Sequence, residues 1–197
     1  MPITGRTPRE CARKFRDHAA KLFAVTVTAE PILLVDASPR FWVSFRRGDA
    51  PVAVPLDTRY GKLFFFAGQI VESIPHRDGP ARFRLQTVQY AYRIQETANV
   101  RDGALLRWEY ERRSPEEPVP PRHHLQAPAS IRFGRHALDL NRLHLPTGWA
   151  LMEEIIRFLI TDLGVSPPCG QEWPRVLARS EAVFFNDFTG KRLPGVK

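Results

Sequence analysis

The chain predicts an α+β fold: one antiparallel sheet with an N-terminal helix and C-terminal helices packed against one face. Three observations predict it. A capped amphipathic segment opens the chain, the middle is rich in β-branched and aromatic residues with stretches of two-residue alternation, and the last third returns to helical spacing. The 197 residues fit a single domain, 1–197, made of a basic N-terminal helix (1–23), a strand-rich part (24–130) and a helical part (145–188).

The first helix starts at a capping box, Thr7 with Glu10, and has Pro8 at its first position. Cys11, Phe15, Ala19 and Leu22 then form one apolar stripe. Through residue 23, Arg6, Arg9, Arg13, Lys14, Arg16 and Lys21 oppose only Glu10 and Asp17, which is half of the formal net charge of +8. Arg9, Arg13 and Arg16 are therefore candidate nucleic-acid contacts. The alternative is a solvated outer face.

In the middle, "AVTVTAEPILLV", "RFWVSFRR" and "KLFFFAGQIV" have strand composition. The clearest pair is 82–95 with 105–113, joined through "NVRDG", whose Asp102-Gly103 is good hairpin-turn chemistry. Val88, Tyr90, Tyr92 and Ile94 make one apolar face, matched by Leu106, Trp108 and Tyr110. Phe83 and Leu85 fall on the other phase, which predicts a bulge near Gln86–Thr87. Pairing about the turn sets Tyr92 by Trp108 and Tyr90 by Tyr110. The opposite face then collects Gln89, Arg93, Arg107, Glu109 and Glu111, so carboxylates and guanidiniums share one side of a rigid hairpin.

A proline-rich loop, 114–124, leads into "HHLQA". If this piece is extended, Leu125 and His123 face the core while His124 and Gln126 point toward the polar hairpin face. An imidazole there can take and give protons during RNA cleavage, where the 2′-hydroxyl is the nucleophile, and nearby arginines would stabilise the phosphate's charge. His124, Glu109 and Glu111 are thus the candidate catalytic groups, and Arg93, Arg107 and Gln126 the candidate phosphate contacts. A metal held by His124, Glu109 and Glu111 is the less favoured use of the same residues, and no cofactor is expected. Further on, Thr147 caps a helix carrying Leu151, Ile155, Phe158, Leu159 and Leu163. Gly164 and Val165 end it, and Pro167-Pro168 prevents continuation. A last helix starts near Glu172, with Trp173, Val176, Leu177 and Phe184 on one face.

Composition excludes several classes. A hydrophobic fraction of 43% with 11% aromatics is globular, and the purely apolar runs reach only the length of "LFFFA", too short for a membrane helix. The first residues lack the apolar stretch of a signal peptide. Cys11 and Cys169 are too few for a disulfide framework or a cysteine zinc site, so a reducing cytoplasm is expected. There is no Walker loop, G-x-S-x-G or H-E-x-x-H. A pI near 10.1 favours an acidic partner, nucleic acid or an acidic protein. Only five of the 29 basic residues are lysine. That arginine excess fits phosphate recognition, or else a GC-rich genome.

"YAYRIQE", "GALLRWEYERR", "PRHHLQ" and "LHLPTGWALMEEIIRFLITDLGV" together resemble a group of small uncharacterised actinobacterial proteins and, more distantly, the TumE-type toxins of toxin–antitoxin systems. The similarity covers roughly residues 80 to 185, and Leu145-Pro146-Thr147-Gly148 is its most specific piece. It implies a ribonuclease-like toxin neutralised by an acidic antitoxin protein. Where the relatives carry His-x-His after the aromatic strand, this chain has Glu109-Tyr110-Glu111, and in the later segment only His124 keeps the pattern. Carboxylates then substitute for imidazoles, or the protein is a nonenzymatic nucleic-acid- or protein-binding module.

Overall fold

A computed structural model describes residues 3–76, 82–112, 122–133, 136–139 and 144–188. A short strand, β1 (Thr4–Gly5), precedes the first helix, α1 (Pro8–Thr26). Thr7 caps it as expected, its hydroxyl accepting from Glu10 N at 3.1 Å. The Glu10 carboxylate reaches past Thr7 instead, accepting from Arg6 N at 2.9 Å and pairing with Lys14 at 2.8 Å. Cys11, Ala19 and Leu22 are buried and Phe15 is half-buried, so the stripe faces the sheet.

Ala24, Val25 and Thr26, read from the sequence as the start of a strand, extend α1. Helix propagation outweighs their β preference because Phe23 is buried between Phe45 and Phe65, with ring centroids 5.1 and 5.9 Å away. The Thr26 hydroxyl closes the last turn on Leu22 O at 2.7 Å. Extended structure resumes only at β2 (Ile32–Ala37), just past Pro31.

The chain then runs through β3 (Arg40–Arg47), β4 (Ala50–Pro51), β5 (Val54–Thr58), β6 (Gly61–Pro75), β7 (Phe83–Gln95) and β8 (Ala104–Glu111). β9 (His123–Gln126), the β10–β11 hairpin (Ser130–Phe133 with His136–Asp139) and β12 (Leu145–Pro146) follow. The main sheet has ten strands, with the order β12-β9-β8-β7-β6-β3-β2 along its spine and every pair antiparallel. One face is apolar and bears the three α-helices of the described residues. Phe45, Phe65, Tyr90 and Tyr92 share one core with Leu22 and Phe23 of α1 and with residues of the two C-terminal helices. No helix among the described residues is long and apolar enough to cross a membrane.

The hairpin register is the expected one: Tyr92 faces Trp108 and Tyr90 faces Tyr110. Its turn is not. The connection spans 96–103, where Asp102 N donates to Asn99 O at 3.0 Å and Gly103 does not adopt positive φ. Side chains hold this turn: Asn99 Nδ2 donates to Asp102 Oδ1 at 2.8 Å, and buried Gln95 donates to Thr97 O and Asn99 O at 2.7 and 2.8 Å. The bulge lies just beyond the expected place, since Ile70 faces Gln89 while Val71 faces Thr87, which makes Val88 the extra residue. That slip turns Leu85 to the apolar face, against Ala12, Phe41 and Val71.

Thr147 does not cap the next helix. α2 (Met152–Thr161) begins at Leu151, whose N–H is taken up by the Glu154 carboxylate at 3.1 Å. Residues 145–150 are held extended instead: β12 pairs with β9, Thr147 N donates to His123 O at 3.0 Å, and Ala150 N donates to Tyr90 Oη at 3.0 Å. Tertiary hydrogen bonds thus delay the helix beyond its cap signal. α2 ends as expected at Gly164 (φ 76°), and a 3₁₀ turn (Gly170–Glu172) leads into α3 (Trp173–Phe188). Leu177 of α3 is fully buried, with Trp173 and Val176 packed beside it. Arg113, the proline-rich stretch up to residue 121 and the Phe184 side chain lie outside the described residues.

Candidate functional site on the polar sheet face

Alternation along β7, β8 and β9 builds the site. Tyr90, Tyr92, Trp108, Tyr110, His123 and Leu125 take the helix-bearing face, so Arg93, Arg107, Glu109, His124 and Gln126 share the other. Cross-strand register does the rest. Arg93 is directly opposite Arg107, Arg107 opposite Gln126, and Glu109 opposite His124.

Glu109 is the hub. Its Oε1 accepts from Arg93 Nη2 at 3.0 Å, and its Oε2 lies 3.4 Å from Arg107 Nε and 3.7 Å from His124 Nε2. The last separation suits an ion pair with a protonated imidazole and is too long for a hydrogen bond. All are shielded, His124 most, with its side chain 12% exposed. Two guanidiniums against one carboxylate leave one positive charge in the cluster. Arg93 is anchored, its second amino group donating to Val100 O at 3.2 Å and its guanidinium lying 6.0 Å from the Phe66 ring centre. The capacity to hold an anion therefore falls mainly to Arg107.

The sequence reading missed His144. It immediately precedes β12, and continuing that register places it opposite Gln126; Nε2 of each lies 3.0 Å from the other, and the His144 ring is 4.8 Å from that of His124, edge to face. The signal was the alternation His144-Leu145-Pro146, hidden because Pro146-Thr147 read as a helix start. Arg93 Nε and Gln126 Oε1 are buried without a hydrogen-bond partner among the described residues.

The remaining candidates sit elsewhere. Glu111 is exposed, opposite Gln89. Arg9 and Arg13 are exposed on α1, and Arg16 lies 2.7 Å from Asp17 Oδ1 without hydrogen-bond alignment. Since α1 packs on the helix-bearing face, these arginines are across the sheet from Glu109. Among the described residues, no three His, Cys, Asp or Glu side chains are grouped to hold a metal ion. His123, on the core face, stacks on Tyr110 (4.4 Å between centres, 12° between planes), and its pKa is lowered by burial and then by the charge of Arg122. Buried Cys11 donates to Phe83 O at 3.3 Å, and its thiol is pushed up to about 11 by burial, which removes it as a nucleophile.

Fold and site together define a class: an open antiparallel sheet, helices on one face, and on the other a carboxylate bracketed by arginines and an imidazole. Compared with models of known families, with curated proteins and with solved structures, the chain matches none.

Proposed function

We propose that the protein is an RNA-cleaving enzyme of the ribonuclease-like toxin kind, acting by acid–base chemistry at the Glu109–His124–His144 cluster. The observation that carries this reading is the pairing of His124 with Glu109 across β8 and β9, with a second imidazole 4.8 Å away. Cleavage within the RNA chain needs a base for the 2′-hydroxyl and an acid for the departing 5′-oxygen. His124 takes the 2′ proton, the freed oxygen attacks phosphorus, and the P–O5′ bond breaks as His144 protonates the leaving oxygen. The products are a 2′,3′-cyclic phosphate and a 5′-hydroxyl. Arg107 holds a non-bridging phosphate oxygen, while Glu109 orients His124. The net charge of +8 supports both an RNA substrate and an acidic antitoxin as inhibitor.

His124→Gln should lower cleavage of a defined RNA by about 10²- to 10⁴-fold, with the fold unchanged by circular dichroism. A wild-type protein that binds RNA but never cuts it would favour the nonenzymatic module instead. That alternative rests on Glu109 already occupying both arginines.

A further inference from the structure

We propose that the polar sheet face continues beyond the Glu109–His124 pair as a track for single-stranded RNA, on which a base a few nucleotides from the scissile phosphate stacks on Trp42. The inference rests on the cleavage reading for its substrate and adds the surface that selects an unpaired strand. Register lays the track out. Ser44 of β3, Gly68 of β6, Ala91 of β7, Glu109 of β8 and His124 of β9 form one row, each opposite the next. Two residues to one side, continuing the β3–β6 register, stand Arg46, Phe66, Arg93 and Arg107; two residues to the other stand Trp42, Ile70 and Gln89. All lie on the face away from the helices.

Shape is the first argument. The middle row is low on β3, β6 and β7, where Ser44, Gly68 and Ala91 carry small side chains. Two large rings close over it: a Cβ on Gly68 would lie 2.8 Å from Phe66 Cζ and 3.4 Å from Trp42 Nε1, so glycine lets both lie down against the sheet. Trp42, Ile70 and even Ala91 are only half-buried, and Gln89 is exposed, so the face is accessible between the rings and Glu109. Trp42 and Glu109 are three strand spacings apart, about 14 Å, or about four stacked nucleotide steps. An aromatic ring on an accessible sheet face stacks an unpaired base; in a duplex, the base's own neighbours already cover both of its faces.

Charge is the second argument. Arg46 is 6% exposed, and its guanidinium carbon lies 4.9 Å from the Trp42 ring centre. One of its amino groups donates to Asp49 O, while Nε and Nη1 have no hydrogen-bond partner among the described residues. A buried cation with two idle donors is satisfied by an anion. A phosphate beside the stacked base supplies that acceptor at this end of the track, as the scissile phosphate does for Arg107 at the other. Glu72, two residues past Ile70 on the same face, would oppose an anion, but Arg40 meets it at 3.9 Å and Gln86 Nε2 donates to it at 3.2 Å. A second copy of the chain, itself carrying +8, brings net repulsion to this face where RNA brings attraction.

Fluorescence anisotropy of the full chain with labelled 2′-O-methyl RNA tests it, because strands without a free 2′-hydroxyl bind whether or not the protein cuts RNA. An unpaired octanucleotide should bind at least about tenfold more tightly than a dinucleotide, which is too short to reach from Glu109 to Trp42, and than the same octanucleotide in a duplex. Trp42→Leu should weaken the octanucleotide by about five- to 150-fold, the worth of stacking one base. Trp42→Phe, which keeps a ring, should recover most of that loss. Val35→Glu, on edge strand β2 directly opposite Trp42, should also weaken it by setting a carboxylate beside the base; circular dichroism checks each fold. No measurable binding, equal affinity for single strand and duplex, or Trp42→Leu and Val35→Glu proteins that bind like wild type would each overturn the proposal. So would a wild-type dimer that these substitutions dissociate with RNA affinity unchanged. The expected binding pattern without cleavage of ordinary RNA would remove the catalytic reading and uphold the track; cleavage with unaltered binding in both variants would do the reverse.

Discussion

Tyr90 shows what a single side chain decides here. It is 1% exposed, and its hydroxyl accepts from Ala150 N at 3.0 Å and has His123 Nδ1 as partner 3.1 Å away. Burial pushes the phenol up to about 12, so it stays protonated and its proton goes to Nδ1. His123 is thereby held in the tautomer with hydrogen on Nε2. Removing the hydroxyl strands an amide and an imidazole nitrogen in the interior. Tyr90→Phe should therefore cost about 1–3 kcal/mol in urea unfolding; a change within experimental error would mean that the 147–151 segment is held by β12 alone. At this scale the sequence was partly legible. Alternation placed Glu109 and His124 on a common face, but Tyr90 bonding to a residue 60 positions away follows from no local pattern.

At the scale of elements, the three helices are tied by a buried polar chain. His18 of α1 lies 2.8 Å from Ser180 Oγ of α3, and the Ser180 hydroxyl donates to Glu153 Oε1 of α2, so His18 must supply the Nε2 hydrogen. Burial lowers the pKa of His18 below 6.5 and raises that of Glu153 above 4.5. The two act in opposite senses. A lowered histidine pKa means the folded state favours the neutral ring, so its stabilisation is complete above pH 6.5 and is lost as pH falls through the folded value. A raised carboxyl pKa gives stabilisation complete below 4.5 and lost as pH rises through the folded value. His18→Gln should flatten the decline of the melting temperature just below pH 6.5, leaving only the part due to His123, whose pKa is also lowered. A decline as steep as in wild type would remove His18 from the linkage. The element scale also holds the two misread boundaries: Ala24–Thr26 stayed helical because Phe23 had ring partners, and Thr147 stayed extended because β9 took its amide.

For the whole molecule, charge is divided by the sheet. Arg9, Arg13 and Arg16 lie on the helix-bearing side, and the Glu109 cluster on the other. If α1 contacts RNA, replacing all three arginines by serine should reduce the salt slope of binding by about 0.7 per phosphate lost on a single strand; an unchanged slope would leave α1 as a solvated exterior. The sequence by itself determined the α+β class, the aromatic hairpin register, the face shared by Arg93, Arg107, Glu109, His124 and Gln126, and the basic first helix. Those depend on periodicity and near-neighbour pairing, which are written locally. Only the tertiary structure decided that Glu109 binds both arginines, that His144 joins His124, and that Trp42 and Phe66 meet over Gly68. Each needs strands far apart in the chain to lie side by side, and that adjacency is set by burying the whole apolar face at once.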